Sequence, residues 1–482
     1  MSRVLLLLST LLIPFSVFCQ HDTQKLSNYI STIKNDNKLK GSLFSIKVTD
    51  CASGKTIFSQ NSDLRMVPAS IQKTITTGVA LEKLGNNYTY TTSIYYDGEI
   101  KDSVLTGNIY IEGGGDPSLG SPNFTGTVTD SIFNKISNAL VNKGICTIKG
   151  EIIVKSDYYN CHYSTEEYIH PTWEWEDIGS YYGTALRGFN FHENYFTTHI
   201  TCNSATNINT YADMPYPMSP DILYDLSIIH KDSVAELLAV SSPLSSPYII
   251  RGKIPANGKE TKIDAALQHP GDAFIFWLRS YLMSKGINVD NQIQQEKPEK
   301  HLLAEIKSPP LSEIAMHTNY TSSNLYADAL FKGMAKEKNG KCTFDESAKT
   351  MEEYLKAMGL KTSGIRLVDG SGLSRHNYIT ADFMCEYLRK IKQTNKNFHH
   401  SLPYPGADKS TLKYFMSGYK NKRSNSIFLK SGSMTGVVNY AGYITGKNGE
   451  VMCVTIMTNN FLCKTREMRP VLERVVYLIS EM

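Results

Sequence analysis

The sequence predicts an α+β protein whose main domain is built from both ends of the chain and interrupted by one or two mostly β inserted domains. Turn-bounded apolar strands occur near both termini, helical periods follow the first pair and close the last, and the chain between them shifts to short strands, glycines and loops.

In chain order, Met1-Ser2-Arg3 gives a basic start and residues 4–18 are almost wholly apolar. This is the pattern of a secretory signal over residues 1–19, cleaved near Cys19-Gln20, and too short for a membrane span. Lipid attachment at Cys19 is the alternative, disfavoured by the bulky Phe18 where such signals place a small residue. An exported chain, in the periplasm or cell envelope, is expected. Residues 22–40 read as a polar helix. Residues 42–49 and 56–59 read as a hairpin turned at Ser53-Gly54. Pro68 favours an extended entry to a helix that carries Ile71, Ile75, Val79 and Leu84 on one face and stops at Gly85.

At the other end, residues 425–430, 437–444 and 451–457 read as strands, with Lys447-Asn448-Gly449-Glu450 supplying a two-residue hairpin turn; residues 466–479 have a helical period. Residues 107–115, 150–156 and 248–254 typify the β-rich middle. The expected partition is 20–87 and 306–482 for the two parts of the main domain, and 88–305 for the insertion.

Composition narrows the function. Hydrophobic residues at 41% and charged residues at 20% describe an ordinary folded chain, and no later stretch spans a bilayer, since residues 273–283 are interrupted by Arg279. Fifty basic against 46 acidic residues leave +4, no footprint for nucleic acid. The nine cysteines are scattered without C-x-x-C, and the twelve histidines contain no H-E-x-x-H, so neither metal nor cofactor is expected. Cys453 lies in an apolar run and reads as a buried thiol; other cysteines could pair in an oxidising compartment.

Three short motifs carry chemistry: Ser70-Ile71-Gln72-Lys73, Ser322-Ser323-Asn324 and Lys430-Ser431-Gly432. The S-x-x-K pattern alone is weak, recurring at Ser31–Lys34, Ser410–Lys413 and Ser417–Lys420. Ser70 differs by opening a helix, where residues three apart share a face and backbone N–H groups favour developing negative charge. S-x-N is weaker still, whereas K-S-G occurs once, at the end of a strand where Gly432 lets a ligand backbone approach.

In this order, the motifs resemble those of the class C low-molecular-mass penicillin-binding proteins, D-Ala-D-Ala carboxypeptidase/endopeptidases. Gly113-Gly114-Gly115-Asp116-Pro117, Trp173-Glu174-Trp175-Glu176-Asp177 with Tyr181-Tyr182-Gly183, and Asp369-Gly370-Ser371-Gly372-Leu373-Ser374-Arg375 match strings of that family. Ser323 stands where Asp is common, and Ser431 where Thr is usual. The resemblance implies a β-lactamase/transpeptidase-like catalytic domain, an antiparallel sheet flanked by helices. It implies peptidoglycan stem peptides as substrates and β-lactams as covalent inhibitors, and leaves the oligomeric state open.

It further implies roles. Ser70 is the nucleophile and Lys73 its base, made neutral by burial and by Lys430 nearby. Ser322 relays the proton and Asn324 orients Lys73 and the substrate amide. Lys430 and Ser431 hold the terminal carboxylate, the Ser70 and Ser433 N–H groups form the oxyanion hole, and Met434 lines the stem-peptide pocket. The 369–375 string is expected as a turn near the catalytic domain, and Trp173 and Trp175 as structural aromatics.

Overall fold

The computed structural model describes residues 13–36, 39–159, 168–204, 207–213, 222–242, 245–292, 294–297, 299–340, 342–419 and 424–482. Most of the predicted signal segment, residues 1–12, lies outside them. The chain divides into two compact units, Met1–Lys83 with Ala315–Ser322 and Ala348–Met482, and Leu84–Ile314 with Ser323–Ser347.

The first unit is α+β, as predicted. Its sheet runs Ile427–Met434, Val437–Thr445, Val451–Asn459, Leu43–Asp50, Thr56–Gln60, antiparallel throughout. The chain ends meet inside it, Leu43 opposite Asn459 and Asp50 opposite Met452. The two strands between Val437 and Asn459 are buried on both faces, which explains their continuous apolar runs. One face packs Ile46, Val454 and Ile456 against the Ile13–Asn35 and Thr465–Ser480 helices. In the latter, Met468, Leu472, Val475, Val476 and Ile479 form a stripe at helical spacing. On the other face lies the Ala381–Thr394 helix, whose Tyr387 hydroxyl donates to Thr74 O at 3.0 Å and so braces the Lys73–Leu84 helix.

Local differences from the sequence reading have physical reasons. The first helix is Ile13–Asn35 rather than 22–40, because Asp36 and Leu39 carbonyls accept turn hydrogen bonds from Leu39 and Ser42. A 3₁₀ turn, Ser424–Ser426, precedes the Ile427–Met434 strand, so Lys430-Ser431-Gly432 sits within that strand rather than ending it. The last hairpin turns through residues 446–450, wider than a two-residue turn, with Gly446 N donating to Glu450 O at 2.9 Å.

The second unit has two cores. Two four-stranded sheets share one core with the Thr129–Asn142 and Pro270–Ser284 helices, through Phe133, Ile136, Leu140, Phe274, Trp277 and Leu278. The other core, containing Phe196, Ile200, Tyr248, Ile250 and Ile254, is formed largely by strands of two three-stranded sheets. The sequence reading missed both helices because short strands surround them. Residues 323–347, expected with the C-terminal part of the chain, group with this unit. Trp173 is structural, buried against Phe344, but Trp175 is 64% exposed.

Asp116, in the glycine-rich string, is buried here. Its Oδ1 accepts from Ser118 N (2.8 Å) and Oγ (2.6 Å), while Oδ2 has no partner among the described residues. Burial pushes its carboxyl up to about 6. A carboxyl raised above its unfolded value holds its proton longer in the folded state, so stability is lost as pH rises toward that value. Asp116→Asn is therefore expected to match wild type near pH 4. It should gain on the order of 2 kcal/mol over wild type by pH 7 in denaturant titrations. A difference that does not change with pH would contradict this.

Candidate active site

The first unit builds its site on the segment entering the Lys73–Leu84 helix. Pro68 has φ −75° and Ala69 φ +48°, followed by the 3₁₀ turn Ala69–Gln72. A non-glycine residue at positive φ costs about 1–3 kcal/mol and persists only where its surroundings impose it. Asn439 is one such restraint: its Nδ2 donates to Val67 O at 2.9 Å and Pro68 O at 2.8 Å, and its Oδ1 accepts from Thr458 N at 3.0 Å. The serine turn is thereby tied to the central strands.

This geometry presents Ser70 to Lys73. Lys73 is fully buried, its Nζ 2.8 Å from Ser70 Oγ and donating to Ser371 O at 2.6 Å. That carbonyl belongs to the 369–375 turn, which Asp369 organises: Oδ1 accepts from Gly372 N (2.7 Å) and Asn377 Nδ2 (2.9 Å), and Oδ2 from Ser374 N (2.8 Å). Gln72 donates to Asp369 O and Thr76 Oγ1 donates to Gly370 O at 2.6 Å, fastening the turn to the serine-bearing helix on both sides of Lys73. The string read as a nearby turn thus touches the lysine directly.

Lys430 is equally buried. Its Nζ donates to Ser322 Oγ at 2.9 Å and to Ser431 O at 2.8 Å, and neither partner is anionic. Burial, and then the charge of Lys73, push its amine well below the ordinary lysine value. Ser322 sits at φ +63° just past the Leu311–Thr321 helix, a second strained residue at this site.

Ser70, Lys73, Ser322 and Lys430 therefore come together as two lysine–serine pairs. Asn324 belongs to the second unit, where it opens the Asn324–Asn339 helix and donates to Tyr182 O at 2.7 Å. Ser431 Oγ donates to Thr411 Oγ1 at 2.7 Å. A Cβ at Gly432 would lie 2.8–2.9 Å from Ile71 N, Pro68 O and Ser70 N. The backbone that Gly432 admits is thus that of the serine turn, rather than the ligand backbone the sequence suggested. Ser433, exposed, and Met434, partly buried, continue this edge strand.

Sequence reasoning missed Ser371, Asn439 and Thr411. The first lay in a string already noticed. Asn439 had one available signal, a lone amide within the apolar run 437–444.

Two outcomes test this geometry. Gly432→Ala should destabilise the protein by about 1–3 kcal/mol in denaturant titrations, because the turn must shift to admit the methyl group; an unchanged midpoint would contradict the packing. Lys430→Met should melt no lower than wild type at pH 7, since a buried lysine without an anion is destabilising. A lysine depressed in the folded state is more protonated in the unfolded chain, so wild-type stability rises with pH up to about 10.4. The variant's Tm advantage should therefore shrink from pH 7 to pH 10.

The profile of the D-Ala-D-Ala carboxypeptidase 3 (S13) family matches residues 26–481. A D-alanyl-D-alanine carboxypeptidase of Actinomadura sp. (strain R39) is 25% identical, over 89% of this chain and 80% of that one. The D-alanyl-D-alanine carboxypeptidase DacB of Haemophilus influenzae is 23% identical, over 84% and 83%. The crystal structure of penicillin binding protein 4 from Haemophilus influenzae superposes with a TM-score of 0.78 at 22% identity, covering 94% of this chain and 98% of that one. The fold is that of the penicillin-binding type. With its paired lysines and serines on that fold and a family match running almost from end to end, the chain belongs to the D-Ala-D-Ala carboxypeptidase 3 (S13) family.

Proposed function

We propose that this protein is an exported serine D-alanyl-D-alanine carboxypeptidase/endopeptidase, cleaving peptidoglycan stem peptides through an acyl-enzyme on Ser70. The observation that carries the reading is the buried Lys73 amine, 2.8 Å from Ser70 Oγ and held from another side by the Ser371 carbonyl. A hydroxyl is a poor nucleophile until a base takes its proton. A free-base lysine hydrogen-bonded to Ser371 O can aim its lone pair at that hydroxyl.

Ser70 then attacks the carbonyl of the penultimate D-alanine. The Ser70 and Ser433 N–H groups stabilise the oxyanion, donors of this type contributing about 3–4 kcal/mol each. The edge strand Ile427–Met434, past Leu429, whose N–H donates to Pro403 O at 2.9 Å, offers backbone on which an extended peptide can add as a further strand. Lys430 and Ser431 hold the terminal carboxylate, for which the Ser431 hydroxyl turns from Thr411. Ser322 passes the proton to the leaving amine while Lys430 holds its oxygen. Asn324 orients the substrate amide, and Met434 lines the stem-peptide pocket. Water releases the acyl group.

A β-lactam presents a similar carbonyl and acylates the same serine. A related protein, penicillin binding protein 4 from Haemophilus influenzae, has been solved with a β-lactam; it is 21% identical, with a TM-score of 0.74 over 95% of this chain and 98% of that one. The apolar residues 4–18 after a basic start support export to the periplasm or cell envelope.

Intact-mass analysis with benzylpenicillin should show one acyl adduct on wild type and none on Ser70→Ala. D-alanine release from an acyl-D-Ala-D-Ala peptide should fall by at least about 10³-fold in that variant. Acylation persisting in Ser70→Ala would overturn the choice of nucleophile. Sustained β-lactam turnover without D-alanine release would favour a β-lactamase instead.

A further inference from the structure

A thiol cluster lies in the first unit at residues the proposed chemistry does not use. Cys51 extends the pairing of the Leu43–Asp50 strand, its N–H donating to Val451 O at 2.8 Å. Cys453 lies opposite Thr49 in the same strand pair. With Cys51 across from Val451 and Cys453 across from Thr49, the two cysteines are diagonal neighbours on one face of this strand pair. Cys385, from the Ala381–Thr394 helix, approaches from above, its Sγ 3.3 Å from both Lys47 O and Thr455 Oγ1.

The three thiols differ in reach and in ionisation. Cys51 is 7% exposed in the turn past the strand end, whereas Cys453 and Cys385 are at most 1% exposed. Arg389, paired with Glu386 at 2.7 Å, packs over this turn, its Nε 3.2 Å from where a Gly54 Cβ would stand. The hydrogen bond from Cys453, assisted by Lys392 and Arg389, holds Cys51 below the ordinary thiol value against burial and Asp50. The same hydrogen bond and burial push Cys453 up, and burial pushes Cys385 up to about 12. A lowered thiol that is the most exposed of the three, beside a second, protonated one, is the arrangement of an attacking and a resolving cysteine.

We propose that Cys51 and Cys453 form a reversible redox pair that closes to a disulfide between the N-terminal and C-terminal strands of the central sheet. The oxidant is a disulfide compound. Cys51 thiolate attacks one of its sulfurs, the reagent S–S bond breaks, and one thiolate leaves. Cys453 then loses its proton, attacks the Cys51 sulfur and releases the second reagent thiolate. The cysteines give up two electrons and two protons, and the reagent is reduced to two thiols. Because the bridge closes almost the whole chain into one loop, it restricts the unfolded state strongly. The inference does not depend on the reading of Ser70.

The test uses full-length native protein equilibrated in glutathione disulfide, acid-quenched, alkylated and peptide-mapped without reductant. A Cys51–Cys453 cross-linked peptide is expected, with Tm about 5 °C above the dithiothreitol-treated form. Cys51→Ser should lose both the cross-link and the Tm difference, while penicillin still acylates it as it does wild type. A cross-link through Cys385, a glutathione adduct that stays on Cys51, or full alkylation of all three thiols would each overturn the proposal. So would a cross-link that leaves Tm unchanged.

Discussion

Two lysine amines buried beside one another, with serine hydroxyls and backbone carbonyls as neighbours, are the constraint on which the rest of the site depends. Placing even one such cation in a low-dielectric interior costs several kcal/mol, and the second raises that cost by repulsion. The fold meets it by lowering proton affinity, as burial and the neighbouring Lys73 do at Lys430. The proposed chemistry draws on this destabilising feature, since a buried amine left neutral below the ordinary lysine range can accept a proton from a neighbouring hydroxyl.

Holding such a pair requires rigid walls from distant parts of the chain. The serine turn comes from the N-terminal end, the Lys430 strand and Asn439 from the C-terminal end, and Ser322 and Ser371 from between. The sheet that joins Leu43–Asp50 to Val451–Asn459 brings them into register. Gly432 completes the assembly by allowing strand and serine turn to touch backbone to backbone. Strain at Ala69 and Ser322 is concentrated where the hydroxyls of Ser70 and Ser322 meet the two lysines.

Much of this was legible in the sequence. The strands of the sheet were marked by period-2 alternation and apolar runs, and the serine-bearing helix by Pro68, its apolar face and Gly85. Ser70, Lys73 and Lys430 stand out because their motifs fall in order on those elements, which the structure brings to one place. The rest was illegible for physical reasons. The hydrogen bond from Asn439 to the backbone of residues 67 and 68 joins positions far apart in the chain, and no local pattern encodes it. The Thr129–Asn142 and Pro270–Ser284 helices are short amphipathic segments among β strands, and their apolar residues find partners only in a shared core. Gly432 was recognised as a site of close approach, but what approaches it is set by tertiary packing.

The most direct test of the central claim is the pH dependence of the second-order rate constant for Ser70 acylation by benzylpenicillin. Two buried, mutually repelling amines titrate as a coupled pair. The account predicts an ascending limb whose midpoint lies well below the ordinary lysine value of about 10.4. A limb centred near that value, as for a solvated lysine, would contradict it.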